Sequence, residues 1–142
     1  MNNEFKQQVL VSTLLVTGVI GLFFPWFRLE DTFRPVDGWL WFFSNPLMSI
    51  SFVAAFFLLW TKNRSNFGTV CLFLALLFIP LTSLYHLLVS HSGSLNLSAS
   101  FASAYFGFFM TFLSTTIAFS FFAMKMAKRQ KFNVVGRIYV SE

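Results

Sequence analysis

Thr82, His86 and Ser90 recur at four-residue spacing inside a long uncharged apolar run, and Tyr85 stands beside the histidine. Four-residue spacing lines one face of a helix. An imidazole flanked by hydroxyls at membrane depth could relay a proton or hold a polar ligand, so Thr82, Tyr85, His86 and Ser90 form a candidate polar site. The competing structural reading is that His86, about one turn from the end of its apolar run, reaches the interface and bonds a hydroxyl or carbonyl.

A second set combines Glu30, Asp31 and Asp37 with His86 and His91. Carboxylates and imidazoles are common metal ligands, but these spacings match no metal-site pattern. Arg28 and Arg34 stand close enough to pair the carboxylates, which predicts a self-neutralising solvated loop. Neither Gly-x-Ser-x-Gly nor His-Glu-x-x-His occurs, and those are the patterns that would arm a hydrolytic nucleophile or a zinc-bound water. The single cysteine, Cys71, excludes an intrachain disulfide framework and a Cys-x-x-Cys redox centre. The expectation is a protein that is not an enzyme, with no catalytic residue, metal or cofactor assigned.

The elements that would position these residues are membrane spans. Of the 142 residues, 56% are hydrophobic, 20% aromatic and only 11% charged, where a soluble domain carries about a quarter charged. Between Arg64 and Lys125 lie sixty residues without one Asp, Glu, Lys or Arg, too long for one span and suited to two. The pattern predicts an all-α, integral membrane bundle of four transmembrane helices at about 9–27, 46–60, 67–89 and 99–124, one domain over 1–142. A basic tail, 125–142, follows. No small-x-small cleavage pattern follows the first apolar segment, so that segment is expected to remain as an anchor.

Asn45-Pro46 reads as the start of the second helix, with Asn as N-cap and Pro at the first helical position. That leaves this span short, and the aromatic run Gly38-Trp39-Leu40-Trp41-Phe42-Phe43 is expected to lie at the interface and make up the length. Pro80 predicts a bend in the third span, with Thr82 and Ser83 near the carbonyl it frees.

Orientation follows from counting. An inside N-terminus puts Lys6, Lys62, Arg64, Lys125, Lys128, Arg129, Lys131 and Arg137 in the cytoplasm, against Arg28 and Arg34 outside. The positive-inside rule then predicts N-in and C-in, as in a bacterial inner membrane. Lys125, Lys128, Arg129 and Lys131 form a membrane-surface anchor, and their position beside a span argues for anionic lipid over nucleic acid. The residues after them, Phe132 to Val140, have strand-like composition.

Ala99, Ser103, Gly107, Thr111 and Thr115 place small residues at every fourth position of the last span, and Thr13, Thr17 and Gly21 do so in the first. Small residues let helix backbones approach closely in lipid, where apolar burial supplies no drive. These two helices are expected to pack together, leaving Phe101, Tyr105, Phe108 and Phe112 for lipid or a partner.

The Gly38-Trp39-Leu40-Trp41 stretch in a first outer loop is similar to the Gly-Leu-Trp of the claudin type of tetraspan protein. The two loop cysteines of that type are absent, which removes the resemblance. The size and span count are those of small multidrug transporters too, but no carboxylate lies between Val9 and Phe27 where those need one. Polar information is concentrated at Arg28, Glu30, Asp31, Arg34, Asp37, Trp39 and Trp41 and in the basic tail. The functional expectation is a non-enzymatic accessory or interaction protein that contacts a protein partner or a second copy through those parts, an immunity-type protein being one version. The alternative is a small oligomeric channel or transporter with a polar path at Thr82, His86 and Ser90.

Overall fold

The computed structural model describes residues 3–28, 35–61, 65–90 and 104–139. The elements are α1 (Asn3–Gly21), β1 (Pro25–Arg28), β2 (Pro35–Asp37), α2 (Gly38–Ser44), α3 (Pro46–Trp60), α4 (Asn66–Ser90) and α5 (Phe106–Tyr139). The chain is predominantly helical. Two helical segments, Asn66–Leu88 in α4 and Phe106–Ala127 in α5, are long and apolar enough to cross a membrane. Together α2 and α3 pass the same test but are bent by 95°, and α1 contributes the shorter apolar helix Phe5–Gly21.

The first helix stops six residues short of the expected Phe27. Its last turn tightens, with Leu22, Phe23 and Phe24 donating their N–H groups to Val19, Ile20 and Gly21 at 3.0, 3.1 and 3.3 Å. Pro25 then enforces extended backbone, because it has no N–H to give a helix and disfavours helical torsions at the residue before it. Residues Pro25–Arg28 instead pair antiparallel with Pro35–Asp37, a hairpin absent from the all-α expectation.

Asn45 ends α2 and begins α3. Its backbone is extended, and its side-chain oxygen accepts from the N–H of Leu47 and Met48 at 3.1 and 3.4 Å. That cap satisfies two of the donors every helix start leaves open. Pro46 at the first helical position holds Asn45 out of helical torsions, which makes the corner.

Pro80 lies inside α4. A proline there frees the carbonyl four residues back, that of Leu76. The Thr82 hydroxyl donates instead to Phe78 O and Ile79 O, at 2.8 and 3.0 Å, and Ser83 donates to Ile79 O at 3.0 Å. Both hydroxyls therefore bond within their own helix.

The strand-like tail expected after Lys131 is helix as far as Tyr139. Extending a helix that already exists costs one residue's order per hydrogen bond gained, and Met124 to Lys131 are mostly strong helix formers. A lone strand would have needed a partner. The start of α5 is also later than expected, at Phe106 and not Ala99; residues 91–103, with Ala99, Phe101 and Ser103, lie outside the described residues.

The helices run end to end past one another. At one end Gln8 donates to Leu59 O at 3.0 Å, and Phe5 meets Trp60 edge-on. At the other end β1, β2 and α2 gather with the end of α4 and the start of α5, where Tyr105 N–H donates to Trp26 O at 2.9 Å and Ala104 bridges Phe27. The core between them is apolar, with Leu15, Met48, Leu72, Leu76, Ile79 and Phe108 fully buried.

Candidate functional site

Trp26 is the pivot of the hairpin end. Pro25 pairs with Asp37 and Phe27 with Val36, so Trp26 is an extra residue in β1. A bulge of this kind breaks the in-out alternation of a strand, which explains why Trp26 and Phe27 are both buried. The Trp26 indole N–H donates to Gly21 O at 3.1 Å, and its ring meets Phe27 and Phe108 edge-on.

The end of α1 is thereby closed by tertiary contacts. Gly21 O receives Trp26, Leu22 O receives Trp39 N–H at 2.8 Å, and Gly18 O receives the Thr111 hydroxyl at 2.9 Å. Gly38 leaves the room this requires: a Cβ on it would sit 2.1 Å from the Trp26 indole nitrogen.

Next to this pivot α2 lays Trp41 on His86, with ring centroids 4.8 Å apart and planes inclined by 39°. His86 is only 7% exposed. Its Nε2 lies 2.9 Å from Nδ2 of Asn45, so the residue that caps α3 also holds α4. The opposite ring nitrogen, Nδ1, and the indole nitrogen of Trp41 are buried with no hydrogen-bond partner among the described residues. Ser49 donates back across the corner to Phe42 O.

Of the candidate polar site, the structure brings His86 into contact with Asn45 and Trp41 and leaves its other members apart. Thr82 is buried, with its hydroxyl spent on its own helix. Tyr85 is exposed and turns its ring edge to His86 at 5.7 Å. Ser90 is the last residue of α4, and its side chain lies outside the described residues.

Of the outer surface, Asp37 precedes α2 and accepts from the exposed Trp39 indole at 3.4 Å. Trp41 is half-buried against α4, which removes it from any free face. Arg28 closes β1, and Glu30, Asp31 and Arg34 lie outside the described residues. Among the described residues no three of His, Cys, Asp and Glu come together as a metal site.

Of the small residues, Gly21, Gly107, Thr111 and Thr115 meet where α1 crosses α5. A Cβ on Gly21 would stand 2.4 Å from the Thr111 hydroxyl and 2.9 Å from Gly107 O. The α1 face is not the expected Thr13-Thr17-Gly21 row. Thr13 is exposed and Thr17 half-buried, each donating at 2.9 Å to the carbonyl four residues back. Gly18 takes their place, against Thr115 and Ser114. Phe108, expected to face lipid or a partner, is fully buried and stacks on Phe112 at 5.5 Å. The hairpin supplies the reason, because Trp26 and Phe27 cover that face.

Of the basic anchor, Lys125 is half-buried, and Lys128, Arg129 and Lys131 continue along α5. Reasoning from the sequence missed Trp26, Gly38 and the second role of Asn45. The Asn-Pro pair signals a cap, but only the placement of α4 reveals what its amide nitrogen meets. Comparison with protein-family models, with curated proteins and with solved structures finds no match.

Proposed function

We propose that this chain is a non-enzymatic integral membrane interaction protein, N-in and C-in with four spans, that offers partners a rigid basic arm on the cytoplasmic side and the aromatic segment of α2 outside. The observation that carries the reading is the length of α5. Its 34 residues at about 1.5 Å each reach roughly 51 Å, against about 30 Å of hydrocarbon. The surplus begins where Lys125, Lys128, Arg129 and Lys131 stand, and it extends the bundle as a stiff helix suited to a protein partner or an anionic headgroup layer.

The opposite end also favours contact. Phe23 and Phe43 are 71% and 72% exposed, and Val19, Leu22, Phe23, Trp39, Phe42 and Phe43 line an apolar groove between the end of α1 and α2. Inner-membrane localisation and a bacterial source belong to this proposal, resting on the charge asymmetry. The channel alternative has less support, because the Thr82 and Ser83 hydroxyls are turned onto their own helix and His86 is closed in by Asn45 and Trp41.

The test is affinity purification from native membranes of the intact chain and of one ending at Lys125. A stoichiometric partner retained by the first and lost from the second is expected. Recovery of none with either, together with ion or solute flux in liposomes, overturns the interaction reading for the channel one. Reporter fusions at both termini that report the periplasmic side would reverse the orientation.

A further inference from the structure

We infer that Asn45 and His86 form a proton-sensitive latch on the corner between α2 and α3, shut while the imidazole is neutral and released when it takes a proton. The inference is independent of the partner-binding reading and of which way the chain faces across the membrane.

The chemistry starts at the cap. Oδ1 of Asn45 accepts from Leu47 and Met48 N–H, which only the oxygen end of the amide can do. The other end, Nδ2, can only donate, and it lies 2.9 Å from His86 Nε2. Nε2 is therefore the acceptor, and the ring is neutral with its hydrogen on Nδ1. Trp41 lies on that ring, so α2 is shut over α4 by the same imidazole.

A proton added at Nε2 puts N–H against N–H. Rotating the Asn45 amide does not relieve the clash, because it would present the oxygen to His86 and turn the NH2 group onto the Leu47 and Met48 donors. The corner must give up either the α3 cap or the α4 contact. The shut form is already short of acceptors, since Nδ1 of His86 and Nε1 of Trp41 are both buried donors without one among the described residues. Opening to water satisfies both of them and the new proton together.

Nothing described nearby would hold the charge in place. On its own helix His86 meets Tyr85, a phenol. Neither α2 nor α3 contains an ionisable side chain, and Asp37 before α2 is engaged with Trp39. Tyr105 precedes α5 and Lys125 stands toward its far end. The shut form thus binds one proton fewer than the open form, so by linkage it gains on opening as pH rises and loses as pH falls, by up to about tenfold per pH unit.

The experiment uses the full chain in lipid nanodiscs, with Cys71→Ser and paired spin labels at Phe43→Cys on α2 and Leu81→Cys on α4, both exposed positions. Pulsed distance measurement should give one population at pH 8 and a second, longer one at pH 5, enriched tenfold or more. His86→Gln keeps an acceptor for Asn45 but cannot titrate, and should hold the short distance at both pH values. Asn45→Asp can cap α3 with one oxygen and pair the imidazolium with the other, so its response should vanish or reverse. An unchanged distribution in the parent, or a His86→Gln response equal to the parent's, overturns the latch. Should the variants fail to fold, histidine-labelled parent chain with His91→Gln gives the tautomer directly by NMR. Nδ1–H at pH 8 is expected, and Nε2–H rejects the geometry.

Discussion

The crossing of α1 with α5 and the corner between α2 and α3 both use polar groups inside an apolar chain, and they use them oppositely. At the crossing each donor finds an acceptor. The Thr111 hydroxyl serves Gly107 O of its own helix at 3.1 Å and Gly18 O across the interface at 2.9 Å, and Thr115 and Ser114 bond back to Thr111 O at 2.7 and 3.2 Å. At the corner one amide serves two helices, and two donors have no acceptor among the described residues. A saturated polar contact between close-packed backbones has one arrangement. A contact with surplus donors stands nearer a second arrangement that water would favour.

The largest effect should come from filling the space that both regions share. Gly38→Ala drives a methyl into the Trp26 indole, with all three nearest atoms closer than 2.6 Å. Overpacking of this kind costs about 3 kcal/mol or more, and thermal unfolding in detergent should show a collapsed transition or no folded protein. Gly21→Ala follows closely, since its methyl meets Gly107 O at 2.9 Å and Thr111 N at 3.0 Å, and backbone cannot swing aside. A loss of about 2 kcal/mol by steric trapping is expected. Full stability in either variant would break the picture of a crossing with a single arrangement.

Trp26→Phe keeps an aromatic ring in the core but removes the donor to Gly21 O, for a loss of about 1–2 kcal/mol in the same measurement. Thr111→Val, matched in shape, removes the bond to Gly18 O across the interface together with the hydroxyl's bond to Gly107 O of its own helix. Interhelical hydrogen bonds in membranes average about 0.6 kcal/mol, so a loss near that value sharpens the contrast. Thr13→Ala, on the exposed side of α1, should stay within about 0.5 kcal/mol of the parent. If it costs more than Thr111→Val, the contact face of α1 has been misassigned.

Much of this was legible beforehand because it depends on composition and short spacings. The uncharged run from Ser65 to Met124 requires apolar helices, and Asn45-Pro46 requires a helix start whatever surrounds it. The small residues of α5 indicate a close crossing, because a helix repeats its face every four residues. The misreadings share a cause. Thr13, Thr17 and Gly21 have the right spacing, but a threonine hydroxyl can satisfy itself on its own helix, and periodicity cannot tell that from a contact. Phe108 has the pattern of an outward face until a hairpin folds over it. Phe132 to Val140 have strand composition, but a helix already running has no reason to stop there.

By itself, then, the sequence determined that apolar helices form, roughly where they begin, and which charges flank them, because these follow from local torsion preferences and from excluding charge from hydrocarbon. Tertiary structure alone decided that Trp26 closes the end of α1, that Gly38 must lack a side chain, and that Asn45 reaches His86 across 41 positions of chain. Those relations depend on where one helix lies against another, and their partners are too far apart in the chain for any local pattern to record them.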